Sequence, residues 1–178
     1  MFNPEQIIKH LHLKPLPIEG GYFIQSYRAA ETIAGSALPV RYSNIPHLFG
    51  GAIYYLLTDH PDSFSALHRL KTDELYHFYL GDPVRLTLLQ PDGAVRHVAL
   101  GQDLYAGQHV QFNAPRDIWQ GSRLVPGGKF ALLGTTMAPA FEPADYTHGE
   151  RATLIHDYPG HKMMIETLTR APSGEPTG

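Results

Sequence analysis

Hydrophobic and polar positions along the chain fall into short runs separated by turn residues, and only the two ends read differently. At the start, Ile7, Ile8 and Leu11 lie at helical spacing. Asn3 can cap this helix, Pro4 suits its first position and Gln6 could close a capping box. Pro15 and Pro17 end it. From Tyr22 onward the pattern predicts strands over 22–28, 52–58, 63–70, 74–79, 84–90, 95–100, 110–113, 119–124 and 129–137. Residues 31–49, with Gly35, Pro39 and Pro46, read as a loop, and 141–158 as irregular. A closing helix is predicted over 161–170, with Met164 and Leu168 on one face. The Pro/Gly/Ser-rich residues 171–178 read as a flexible tail.

Strands recur at intervals of about ten residues, with turn residues between them. Pro91-Asp92-Gly93 and Pro126-Gly127-Gly128 are hairpin signals. No helical pattern interrupts this middle region, so a parallel βαβ sheet is not expected. The prediction is an all-β domain over 1–170, a sandwich or barrel with short terminal helices.

Composition narrows the function. Hydrophobic residues make up 43% of the 178, enough for a sizeable core. The formal charge of −3 comes without a Lys/Arg cluster, which argues against nucleic acid. The absence of cysteine excludes disulfides, thiolate metal sites and a cysteine nucleophile. The first residues lack a basic, then apolar, leader pattern, and no apolar run is long enough for a membrane span. A cytoplasmic, soluble protein is expected.

The stretch from Ser65 to Gly81 carries the candidate chemistry. It sets His68 near the end of one strand and Glu74 at the start of the next, across a short turn. Strand alternation then puts Tyr76 on the same face as Glu74. A base, a carboxylate and a phenol would share one pocket. The same residues are open to a second reading, in which His68 is a buried histidine hydrogen-bonded to Glu74 and the tyrosines are core packing. Glu19-Gly20-Gly21 reads as a tight turn, and Tyr146, His148 and the acids around them as a solvated segment.

In this order and spacing the residues resemble the cupin superfamily. His68, Glu74 and Gly81 are similar to its first motif, and the stretch Gly107 to Gly121 echoes its second. The closer resemblance, over about residues 18–145, is to the fifth cupin family. It is carried by Glu19-Gly20-Gly21-Tyr22, Asp73-Glu74, Gly81-Asp82-Pro83, Trp119-Gln120-Gly121 and Ala138-Pro139-Ala140-Phe141. The resemblance implies a double-stranded β-helix, or jelly-roll, barrel. It also implies metal ligands where this chain lacks them: Ala66 and Gln120 stand where cupins usually place histidines. No cofactor is therefore expected, beyond a weak or adventitious metal at His68 and Glu74.

The resemblance further implies a small polar metabolite, such as a sugar derivative, bound in the barrel. His68 would act as base in metal-independent isomerase or epimerase chemistry, with Glu74 orienting it and Tyr76 or Tyr54 as acid. Tyr22, Tyr54, Gln111, Trp119 and Gln120 are the expected ligand-binding residues. A non-catalytic binding or sensing protein is the alternative, and a metal-dependent oxygenase is disfavoured by the missing ligands. A homodimer is expected, with strand 22–28 as the pairing edge.

Overall fold

A computed structural model describes residues 3–170; the predicted tail lies outside them. In chain order the elements are helix α1 (Pro4–Leu11) and strands β1 (Lys14–Pro15), β2 (Tyr22–Arg28), β3 (Thr32–Ile33) and β4 (His47–Leu48). Strands β5 (Gly51–Thr58), β6 (Ser65–Leu70), β7 (Glu74–Gly81), β8 (Val84–Leu89) and β9 (Val95–Leu100) follow. The chain continues with β10 (Gln111–Ala114), β11 (Trp119–Leu124), β12 (Phe130–Met137) and β13 (Tyr146–His148), then helices α2 (Arg151–Asp157) and α3 (Lys162–Thr167).

Two antiparallel sheets form the barrel. One has six strands in the order β1-β2-β5-β12-β7-β10, the other five in the order β13-β6-β11-β8-β9. Their inner faces meet in one core, to which Tyr55, Leu57, Phe78 and Leu133 come from the first sheet and Val84, Leu86, Val98 and Leu100 from the second. Burying each such aliphatic side chain stabilises the fold by about 1.5–3 kcal/mol. Helix α1 covers the outer face of the six-stranded sheet, where Ile7 and Leu13 pack on Leu56, Phe130 and Leu132. Helices α2 and α3 cover the five-stranded sheet through Leu154, Ile165 and Leu168. The architecture is the jelly roll that the strand spacing and motif order implied.

The N-terminal cap is simpler than a capping box: the Asn3 side chain accepts from the Glu5 backbone N–H at 2.8 Å. The region 141–158 is more ordered than its sequence suggests, since it supplies β13 and α2. Strand β2 is not a fully open edge. Pro15 and Lys14 pair with Tyr22 and Phe23, so residues 24–28 are left uncovered on that side.

Consecutive strands that change sheets need sharp corners, and Gly81 makes one between β7 and β8. Its φ is +104°, and a Cβ there would sit 2.3 Å from the Phe130 carbonyl oxygen. Gly93, in the Pro91-Asp92-Gly93 hairpin, has φ +88° but nothing within 4 Å of its would-be Cβ. Both substitutions to alanine incur backbone strain of about 1–3 kcal/mol. Gly81→Ala adds a main-chain collision. We expect chemical denaturation to show Gly81→Ala as clearly the more destabilising; equal losses would mean that the close approach at Gly81 does not matter.

Candidate functional site

His68 stands on β6, with Gln120 of β11 opposite it on one side and His148 of β13 on the other. Directly opposite residues of an antiparallel pair point to the same face. The chain then crosses to the other sheet within the short 71–73 turn, so Glu74 at the start of β7 comes back against His68. The imidazole is 2% exposed and Nδ1 donates to the Ala66 carbonyl at 2.8 Å. That bond fixes the ring and leaves Nε2 facing Glu74 Oε2 at 3.9 Å. Gln120 Nε2–H donates to the same carboxylate oxygen at 2.8 Å. Tyr76, two residues along β7, is buried on the cavity side.

The structure adds a residue that sequence reasoning missed. Glu19 lines the same cavity as His68 and Glu74. Its neighbours explain how it gets there. Gly20 adopts φ +104°, and a Cβ on it would lie 2.4 Å from the Phe64 carbonyl oxygen. The backbone can therefore pass close against β6, where Ala66 N–H donates to the Glu19 carbonyl at 2.8 Å. The Tyr55 hydroxyl donates to the Gly20 carbonyl at 3.0 Å, and Ser65 Oγ–H donates to Glu19 Oε1 at 2.8 Å. Just before it, Ile18 holds φ +67°, an unfavourable conformation for a β-branched residue. Its carbonyl accepts from Arg170 Nε at 2.8 Å, which helps to hold the strained turn.

These groups set each other's protonation. Burial by itself would lower the pKa of His68, but the charges of Glu19 and Glu74 outweigh it and raise the value to about 9. Burial raises Glu19, an effect only partly offset by His68. Burial, reinforced by these carboxylates, also holds the Tyr55 and Tyr76 hydroxyls well above the usual phenol range. At neutral pH His68 is thus a cation, and Tyr55 and Tyr76 are neutral.

The same shifts couple the site to stability. His68 titrates near 6.5 when unfolded and near 9 when folded, so the folded state holds this proton more tightly. The resulting stabilisation is fully present below about pH 6.5 and is lost as pH rises through about 9. Glu19, also raised, acts in the same direction at lower pH. We expect stability to fall by on the order of 3 kcal/mol across that window. Denaturation curves at a series of pH values check this, and His68→Asn should flatten the slope. An unchanged slope in the variant would refute the assignment to His68.

The cavity measures about 220 Å³. Phe23, Tyr55, Tyr76, Phe141 and Tyr146 give it aromatic walls. Tyr146 stacks on the His68 ring with centroids 5.2 Å apart and planes at 18°. The segment expected to be solvated is therefore part of the site. It is anchored by Asp145, whose Oδ2 lies 2.6 Å from His47 Nε2 with both side chains fully buried.

The expected site residues divide into two groups. His68, Glu74 and Tyr76 meet in the cavity, with Gln120 against the first two. Tyr22 and Tyr54 instead lie on the outer face of the six-stranded sheet with α1, and it is Phe23 and Tyr55 that face inward. Gln111 is exposed and reaches His77 Nδ1 at 3.3 Å. Trp119 packs on the outer face of the five-stranded sheet, under Arg69 at 4.7 Å.

Two of the positions at which the resemblance implied histidine ligands carry Ala66 and Gln120. Nδ1 of His68 donates to a carbonyl and leaves Nε2 as its one potential ligand atom, Ala66 has no donor, and Gln120 turns its N–H toward Glu74. Glu19, His68 and Glu74 share the cavity lining. Among the described residues, no group of three or more His, Cys, Asp or Glu is arranged to hold a metal ion.

A jelly-roll barrel with His and Glu reaching inward from β6 and β7 defines a cupin. A family model described as Cupin superfamily (DUF985) matches residues 5–149, and the chain belongs to this family. Its relatives include the uncharacterized protein YML079W of Saccharomyces cerevisiae, 28% identical over 155 residues, covering 83% of this chain and 72% of that one. Among solved structures, protein SO0799 from Shewanella oneidensis is 30% identical with a TM-score of 0.85, covering 97% of this chain and all of that one. A hypothetical protein from Leishmania major is 27% identical with a TM-score of 0.84, covering 96% of this chain and all of that one. No helix among the described residues is long and apolar enough to cross a membrane.

Proposed function

We propose that this cupin binds a small polar metabolite in the barrel and performs metal-independent proton transfer on it, of the isomerase or epimerase type. The observation that carries the reading is the meeting of Glu19, His68 and Glu74 in one aromatic-walled cavity. The raised pKa of His68 reverses the role expected of it from sequence. A cationic imidazole cannot accept a proton, so His68 is the hydrogen-bond donor to a substrate carbonyl and Glu74 holds its charge. Glu19, whose pKa burial raises, is the better base.

In this scheme Glu19 removes a proton from the carbon next to a carbonyl. The C–H electron pair moves toward the carbonyl oxygen, where Nε2–H of His68 stabilises the growing negative charge. In a substrate with a hydroxyl on the deprotonated carbon, passage of that hydroxyl's proton to the former carbonyl oxygen and return of the proton from Glu19 to the former carbonyl carbon complete an isomerisation. Tyr76, kept neutral, can donate a hydrogen bond to the same ligand. We also propose a homodimer formed through the uncovered residues 24–28 of β2, which light scattering at micromolar concentration checks.

A thermal-shift screen of metabolites in buffered D₂O, with NMR of each hit, tests the catalytic reading. A substrate gains deuterium at one carbon in the presence of the protein. A ligand that binds in the barrel and never exchanges would overturn proton transfer and leave a binding protein.

A further inference from the structure

We infer that the barrel cavity selects a small metabolite carrying one positive charge, a protonated or quaternary amine, over neutral and anionic compounds of the same shape. The inference rests on the proposal that this cavity is a ligand site. Among the described residues, the groups that bring charge to its lining are Glu19, Glu74 and His68, and neither lysine nor arginine contributes. Two carboxylates against one imidazolium leave the cavity with one negative charge in excess.

Outside the lining, the Arg170 guanidinium bears on the cavity's tyrosines. Its N–H groups are taken up by the carbonyls of Ile18, Glu19 and Asp62, and its plane lies 4.6 Å over the Phe64 ring. Tyr55, Tyr76 and Tyr146 face the cavity as neutral phenols, their pKa values all raised.

A phosphate or carboxylate entering this space would lose its hydration and meet two like charges. A cation would supply the missing charge and face the rings of Phe23, Tyr55, Tyr76, Phe141 and Tyr146. Aromatic faces attract cations, and more strongly where water is excluded. The volume of about 220 Å³ restricts the occupant to a small amine.

Isothermal titration calorimetry with matched probes tests the inference. Choline is compared with its uncharged carbon isostere 3,3-dimethylbutan-1-ol and with 3,3-dimethylbutyrate; ethanolamine is compared with ethylene glycol. At least one cation should bind roughly tenfold or more tightly than its neutral counterpart, and the carboxylate should not bind measurably. Glu19→Gln should bring the preferred cation down to the level of its neutral counterpart. Neutral or anionic probes that bind as tightly as the cations, or an absence of binding by every cation, would overturn the inference. Cation binding without deuterium exchange would count against proton transfer alone, whereas exchange of a neutral ligand with no charge preference would count against charge selection alone.

Discussion

We expect His68→Asn to suppress the proposed proton exchange into the ligand while leaving the barrel folded. Asparagine can keep a hydrogen bond to the Ala66 carbonyl, so the strand geometry survives. What disappears is the cation between Glu19 and Glu74 and the donor that would stabilise a developing oxyanion. Loss of a positioned donor to a developing oxyanion typically lowers the rate by about 10²–10³-fold. The accompanying loss of stability should be about 1–3 kcal/mol, the usual cost of leaving buried partners unmatched. Glu19→Gln should lower the rate to a similar extent, because it removes the base. Single-turnover rates and denaturation midpoints of the two variants separate chemistry from folding. A His68→Asn protein with full activity and only reduced stability would show that His68 is a structural core residue.

The largest effect on stability is expected at Asp145, which anchors the segment that carries Tyr146. Asp145→Ala should cost about 3–5 kcal/mol, as removal of one partner from a fully buried ionisable pair does. Asp145 Oδ2 lies 2.6 Å from His47 Nε2, and Lys71 Nζ lies 3.7 Å from its other oxygen. The His47 ring is held in turn by the Ile45 carbonyl at 2.7 Å and by the edge of Tyr42 with centroids 4.8 Å apart. Deleting the carboxylate strands a buried polar ring and frees the segment that carries Tyr146. Urea denaturation measures the loss, and a double-mutant cycle with His47→Ala measures the coupling. Additive losses would mean that the two side chains are adjacent without supporting each other.

The strands and turns were legible because turn chemistry is local. Strands 22–28, 95–100 and 119–124 have the predicted limits, since Pro and Gly flank or follow the alternating runs. Phase was less legible. Residues 52–58 are nearly all apolar, so nothing in the run distinguishes Tyr54 from Tyr55, and only packing against α1 reveals that Tyr54 faces outward. The same holds for Tyr22 and Phe23. Glu19 was hidden by its own glycines, which explain a tight turn without any ligand. Its partners, Ser65 and His68, lie far along the chain. Asp145 and Tyr146 sit in a polar stretch that looks solvated until His47, 98 residues earlier, is placed beside them. His68, Glu74 and Tyr76 could be grouped because one short turn and strand alternation suffice to bring them together.

Both the proposed chemistry and the charge of the cavity require His68 to be a cation beside two carboxylates inside the barrel. Nitrogen-15 NMR of histidine-labelled protein, titrated from pH 5 to 10 with His68→Asn for assignment, measures this directly. The expected result is a His68 imidazole protonated on both nitrogens at pH 7 that loses its proton near 9. A His68 ring that is neutral at pH 7, titrating at or below the ordinary histidine value, would contradict it.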